Sequence, residues 1–296
     1  MKKKIGITLA IIVSLLLIAS LGWHFHRQNL AKQYQQTTTP TLFFHGYGSS
    51  ANAETKMTHA AKRAGVTQTI VRANVSNQGK VTFNQHIPAH AVNPIVEVNL
   101  ADKTLANAPH SRTNYASAYP YGARYVAAVI NALEKQHHYR SVNLVGHFMG
   151  NLEIIYYLKA HTKQIQQGKL PAVKHYVAIA GHFDGILGMN DQANSLKIDP
   201  KTGKPSKMAP EYKALLPLRQ TFPHETKVLN IFGNLEDGSN SDGDVSTASA
   251  RSLRYLINHR ASYQELKVRG KQAQHSQLHN GNHQVDQALI NFLWKK

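Results

Sequence analysis

The chain has 296 residues, no cysteine, and 34 lysines and arginines against 16 acidic side chains, a formal net charge of +18. Without cysteine there is no disulfide framework, no thiolate metal site and no cysteine nucleophile. The basic excess attracts polyanions, but no zinc-finger, recognition-helix or aromatic–basic signature accompanies it, so nucleic acid is not expected as a partner.

Met1-Lys2-Lys3-Lys4 precedes an almost unbroken apolar run from Ile5 to Phe25. About 20 apolar residues suffice to cross a bilayer, and lysines on the near side hold that end in the cytoplasm. Residues 1–25 therefore read as a single-pass membrane anchor with the C-terminal domain extracellular. A signal segment cleaved for secretion is the alternative. Ala19-Ser20-Leu21-Gly22-Trp23 is a poor cleavage site, however, and the apolar run continues past it. Residues 26–39 are polar and end in three threonines before Pro40, as in a short stalk. Residues 40–296 suit one large domain, big enough to draw its stability from its own core. Outside a cell, anionic cell-wall polymers are the polyanions such a surface would meet.

Thr41-Leu42-Phe43-Phe44 reads as a short strand closed by His45-Gly46-Tyr47-Gly48, with a helix over about 53–64 ended by Gly65. Thr69 to Val75 reads as the next strand. Lys80–Phe83 and Pro94–Asn99 read as an extra hairpin of modest alternation. Tyr115 to His138 has helical spacing. A strand follows at 141–145, then a helix from Met149 to about His161 and a buried strand at 176–180. Residues 184–223 lack periodicity and are rich in glycine and proline, which marks a lid-like insertion. A strand at 227–232, a helix over about 246–258, a strand at 263–268 and a helix over about 284–294 complete the pattern. Short buried strands alternating with helices predict an α/β fold, a mostly parallel central sheet with helices on both faces.

Gly146-His147-Phe148-Met149-Gly150 has the place and spacing of a nucleophile elbow, G-x-S-x-G, between strand and helix. The central position holds Phe148. A phenyl ring has no proton to lose and no lone pair to donate. The glycine turn at His45-Gly46-Tyr47-Gly48 could aim backbone N–H groups at a developing oxyanion, with Tyr47 and Met149 as the two donors. The acidic loop Gly233 to Val245 offers Asp242 as the acid of a triad, with Asp244 second. A calcium loop fits it poorly, because its spacing misses the register and no closing glutamate follows. Gln274-His275-Ser276-Gln277-Leu278-His279 supplies a base from a loop. His275 is preferred and His279 is the alternative. Ser49, Ser50 and Ser276 lie near these motifs, but none occupies the elbow. The 18 histidines show no His-Glu-x-x-His spacing, so neither a metal nor a cofactor is expected.

Taken in order, Phe44-His45-Gly46-Tyr47-Gly48, Val142-Asn143-Leu144-Val145-Gly146-His147, the loop from Asp237 to Val245 with Ala250-Arg251-Ser252-Leu253, and His275 to His279 resemble one family. It is the α/β-hydrolase superfamily, and within it the lipase-like cell-surface hydrolases of Gram-positive bacteria that carry a domain of unknown function. The resemblance spans about 40–294 and implies an α/β-hydrolase fold acting on small ester or lipid-like substrates. The acid and base carry over onto Asp242 and His275, and the elbow onto Gly146, His147 and Gly150. Two positions depart from the pattern: Phe148 stands where such families have serine, and Asn151 where they usually have glycine. The expectation is a serine-hydrolase framework with its chemistry lost or severely impaired. The alternative is a non-catalytic surface binding protein on the same fold.

Overall fold

A computed structural model of the chain describes residues 12–22, 29, 31–109, 115–257 and 260–296. Residues 12–22 are helical, and their apolar side chains from Ile12 to Leu21 are exposed. Among the described residues no helix is long and apolar enough to cross a membrane. Residues 1–11 and 23–28, which complete the expected anchor and open the stalk, lie outside the described residues. The second half of the expected stalk lies against the domain. Gln35 N–H donates to Trp294 O at 2.8 Å, and Asn93 Nδ2 donates to Gln35 O at 2.6 Å. Tyr34 forms an antiparallel bridge with Lys295.

Eight strands make one sheet in the order β3-β2-β4-β1-β5-β6-β7-β8. They are β1 (Thr41–Phe44), β2 (Ile70–Val75), β3 (Val81–Phe83), β4 (Ile95–Leu100), β5 (Ser141–His147), β6 (Ala172–Ile179), β7 (Lys227–Asn234) and β8 (Ser262–Arg269). All neighbours pair in parallel except β3, which runs antiparallel to β2 at the edge. The expected mostly parallel sheet is present. The expected hairpin between β3 and β4 is not: β4 pairs with β1 and β2 instead. The local alternation is the same in either arrangement. Burial of β4 on both faces, complete but for Asn99, selects the interior position.

The helices are α1 (Thr55–Arg63), α2 (Tyr115–Gln136), α3 (Met149–Gln166), α4 (Pro210–Leu215), α5 (Leu218–Thr221), α6 (Thr247–Arg251), α7 (Leu253–Ile257) and α8 (His283–Trp294). Alternate residues of the central strands feed opposite faces, as period-two geometry requires. Leu42, Phe44, Val96, Val98 and Leu144 join the core under α2 and α3. Phe43, Ile95, Val145 and Ile179 join the core under α1 and α8. The segment 184–223 contains α4 and α5, short helices that its prolines and lack of periodicity conceal. The helix expected over 246–258 is two pieces, α6 and α7, divided at Ser252, whose hydroxyl donates to Ser249 O at 2.7 Å.

Candidate functional site at the carboxyl ends of the strands

Each motif singled out in the sequence leaves the carboxyl end of a parallel strand, where sheets of this kind bind ligands. After β1, His45 is buried. Its Nε2 accepts from Leu100 N–H at 3.1 Å, so Nδ1 carries the proton and donates to Gly46 O at 2.9 Å. This fixes the turn against β4. A side chain at Gly46 would meet His147 Nδ1 at 3.0 Å and Phe148 Cβ at 3.1 Å, so the turn lies directly against the elbow.

After β5 the chain reverses sharply into α3. Phe148 holds φ 49° and ψ −110°, a region that L-residues rarely occupy. Its amide donates to Ile179 O at 3.0 Å, which ties the turn to β6. The flanking glycines are required by space. A Cβ at Gly150 would lie 2.5 Å from Phe44 O, and one at Gly146 would lie 2.7 Å from Asn151 Oδ1. Asn151, in the first turn of α3, grips β6 at two points. Its Nδ2 donates to Ile179 O at 2.8 Å, and its Oδ1 accepts from Tyr176 Oη at 3.0 Å.

The loops after β7 and β8 close on each other. Asp242 is buried, and its Oδ1 accepts from Val245 N–H at 2.7 Å and Asp244 N–H at 3.0 Å. Its Oδ2 lies 2.9 Å from His275 Nδ1, and His275 N–H donates to Asp242 O at 2.8 Å. The approach needs Gly233, because a Cβ there would strike Ala273 O and lie 2.8 Å from Asp242 Cβ. Asp244, the second candidate acid, is half exposed, with Oδ2 3.9 Å from His275 Nε2. His279 faces elsewhere: its Nδ1 is 3.0 Å from Ala53 O.

The structure thus brings Asp242, His275 and position 148 together. The Phe148 ring stands edge-to-face against His275, with centroids 4.8 Å apart, and lies tilted by 42° against His182 at 4.3 Å. His147 lies beneath, its ring 4.8 Å from that of His275 and 4.2 Å from that of His279. Burial and the neighbouring His279 and His275 hold the His147 pKa well below the usual imidazole value. Tyr47 and Met149 line the same cavity as Phe148, and neither backbone N–H has an acceptor among the described residues.

A family model described as "alpha/beta hydrolase of unknown function (DUF915)" matches residues 28–296. The chain belongs to this family. Two solved structures show the same fold. The product of gene lin2722 from Listeria innocua is 20% identical, with a TM-score of 0.70 over 87% of this chain and 94% of that one. A candidate cell surface hydrolase from Lactobacillus plantarum WCFS1 is 18% identical, with a TM-score of 0.64 over 86% of this chain and 91% of that one. Comparison with curated proteins finds no match.

In this α/β hydrolase a cavity of about 300 Å³ opens beside Phe148, lined also by Tyr47, Leu105, Tyr119, Met149 and His182. Sequence reasoning missed His182 and Tyr119. Tyr119 sits in a long amphipathic helix, and His182 follows β6 in a segment with no motif. The one local signal is the pair Ala180-Gly181 after a buried strand, which marks a sharp turn. Among the described residues no group of three or more histidine, aspartate or glutamate side chains is placed to hold a metal ion.

Proposed function

We propose that this protein is a cell-surface α/β hydrolase of the serine carboxylester or lipase-like type that has lost its nucleophile and keeps its pocket as a binding site. Asp242 takes the role of the acid that orients His275, His275 that of the base, and the N–H groups of Tyr47 and Met149 that of the oxyanion donors. Phe148 stands at the nucleophile position with no atom able to attack. The observation that carries the reading is this ring, held in the strained elbow conformation and packed on the base itself. Removal of a triad nucleophile typically costs on the order of 10⁶ in rate. The substrates in question are small esters or lipid-like molecules.

The lysine-led apolar segment 1–25 supports a membrane anchor that presents the domain outside the cell, with a cleaved signal segment as the other route to the same side. The net charge of +18 supports contact with anionic wall polymers once there. The segment 184–223 stands as a lid over the pocket: Ile186 and Met189 line the cavity beside Phe148.

Hydrolysis of a short-chain ester by the full chain tests the reading. The intact protein is expected at background, and Phe148→Ser well above it. Robust turnover by the unmodified chain would mean that another residue is the nucleophile. A folded but inert Phe148→Ser protein would favour a long-established binding role, in which the rest of the site no longer supports chemistry.

A further inference from the structure

The cavity beside Phe148 has a buried floor and an exposed rim. Leu105, Ala118, Tyr119 and Met149 line it from the core, none more than 6% exposed. Tyr47 and Met189 line it at the surface, 51% and 55% exposed. Asp244 completes the rim, with 58% of its side chain open to solvent. Two backbone hydrogen bonds fix it there. Its N–H donates to Asp242 Oδ1 at 3.0 Å, and its carbonyl accepts from Leu187 N–H at 2.9 Å. The acidic loop and the segment that carries Met189 are tied together at this point.

The chain has 34 lysines and arginines against 16 acidic side chains, yet no lysine or arginine lines this cavity. Among the described residues none of them pairs with Asp244 either. His275 Nε2 is 3.9 Å from Asp244 Oδ2, beyond hydrogen-bond length. The other polar groups of the lining are uncharged. They are Thr104, the phenols of Tyr47 and Tyr119, and His182, which burial above all pushes down to about 3 and so keeps neutral. The Asp244 carboxylate therefore sets the sign of the charge at the mouth, against the sign of the whole molecule.

We propose that this cavity binds a single-chain alkylammonium cation, its chain on the buried floor and its head at the rim beside Asp244 and Tyr47. The proposal rests on the reading of the site as a binding pocket without chemistry. The gradient of exposure orients the ligand. The floor removes an alkyl chain from water, and the rim leaves a charged head partly hydrated, so no ion is buried alone. The head meets two groups that favour a positive charge, a carboxylate and an exposed aromatic ring. The thioethers of Met149 and Met189 adapt to the shape of a chain. An anionic head would face Asp244 with no lysine or arginine in the lining to offset it. At about 300 Å³ the cavity is at the small end of ligand sites, which suits one short chain.

Calorimetric titration of the full chain with octyltrimethylammonium and with octyl sulfate, each below its micelle-forming concentration, tests this. A surface of net charge +18 by itself favours the sulfate. The cation is expected to bind at least about fivefold more tightly. Asp244→Asn, which keeps the size of the side chain and removes its charge, is expected to weaken the cation about fivefold and not to weaken the sulfate. Tyr47→Leu, which removes the ring, is expected to weaken the cation about twofold to fivefold. Octyl sulfate binding as well as the cation overturns the proposal, as does unchanged cation affinity in either variant, or no binding of the cation. If a variant does not fold, the Tyr47 ring-proton resonances of the unmodified chain read the same contact. They should move on addition of the cation, and unmoved resonances overturn the proposal. Ester turnover by the intact chain would defeat the non-catalytic reading instead, so the two failures are distinguishable.

Discussion

Phe148 carries a backbone conformation that normally serves a reactive serine. Such a conformation costs about 1–3 kcal/mol and persists only where its surroundings dictate it. Here they do. Gly46 allows the turn after β1 to press on the elbow, Gly150 lets α3 start against β1, and Asn151 holds Ile179 and Tyr176. The elbow geometry is therefore held with phenylalanine at its centre. Gly150→Ala tests how tightly it is dictated. Its methyl would meet Phe44 O at 2.5 Å, a backbone atom inside the sheet that cannot swing aside. Urea denaturation is expected to show a loss of about 1–3 kcal/mol, the usual cost of overpacking. An unchanged midpoint would mean that strand and helix are looser than they appear.

At the scale of elements, the loops at the strand ends are the legible part of the sequence. Each couples a buried apolar run to a turn residue that the geometry needs: Gly46 after β1, Gly146 and Gly150 around the elbow, Gly233 at the end of β7. That coupling is why Asp242 and His275 can be named before any coordinates exist. His182 and Tyr119 cannot be, because a buried polar pair formed between distant segments leaves no local pattern. The β3–β4 hairpin reads wrongly for a related reason: alternation reports a strand but not its neighbour. The helices α4 and α5 are too short for periodicity to show.

Residues 184–209 are held down by a polar clasp, with little regular secondary structure. Asp191 Oδ2 accepts from Ser246 Oγ at 2.6 Å, at the N-terminal cap of α6, and its Oδ1 accepts from Ser195 Oγ at 3.0 Å. Asp191→Ala is expected to raise amide hydrogen exchange across 185–209 while leaving the central strands protected, as local opening does. Exchange that rises evenly across the sheet would show that this segment is part of the global folding unit.

For the whole molecule, the notable electrostatic feature beneath the basic surface is its buried carboxyls. Burial, reinforced by Glu97, pushes Glu54 up to about 8, and burial above all pushes Asp184 up to about 7. Glu153, fully buried with both oxygens unpartnered among the described residues, is raised well above the usual range. These groups keep protons in the folded chain that the unfolded chain releases near pH 4, so they lower stability as pH rises above about 4. His182, held near 3, and His175, held near 4, act oppositely and lower stability as pH falls below about 6.5. The two effects oppose each other between these limits, and above about 6.5 the carboxyls act alone. Stability is therefore expected to fall from pH 6.5 to pH 8 in urea titrations, and Glu54→Gln to flatten that slope. A slope unaffected by Glu54→Gln would mean that this carboxyl is ionised and paired in the folded protein.

On the proposed reading, the whole domain is a hydrolytic framework that lacks only its attacking oxygen. The most direct measurement is covalent labelling by a fluorophosphonate, read by mass spectrometry on the full-length protein. The unmodified chain is expected to remain unlabelled and Phe148→Ser to be labelled at position 148, with labelling lost when His275→Ala is added. Labelling of the unmodified chain at any serine in the pocket would contradict the account.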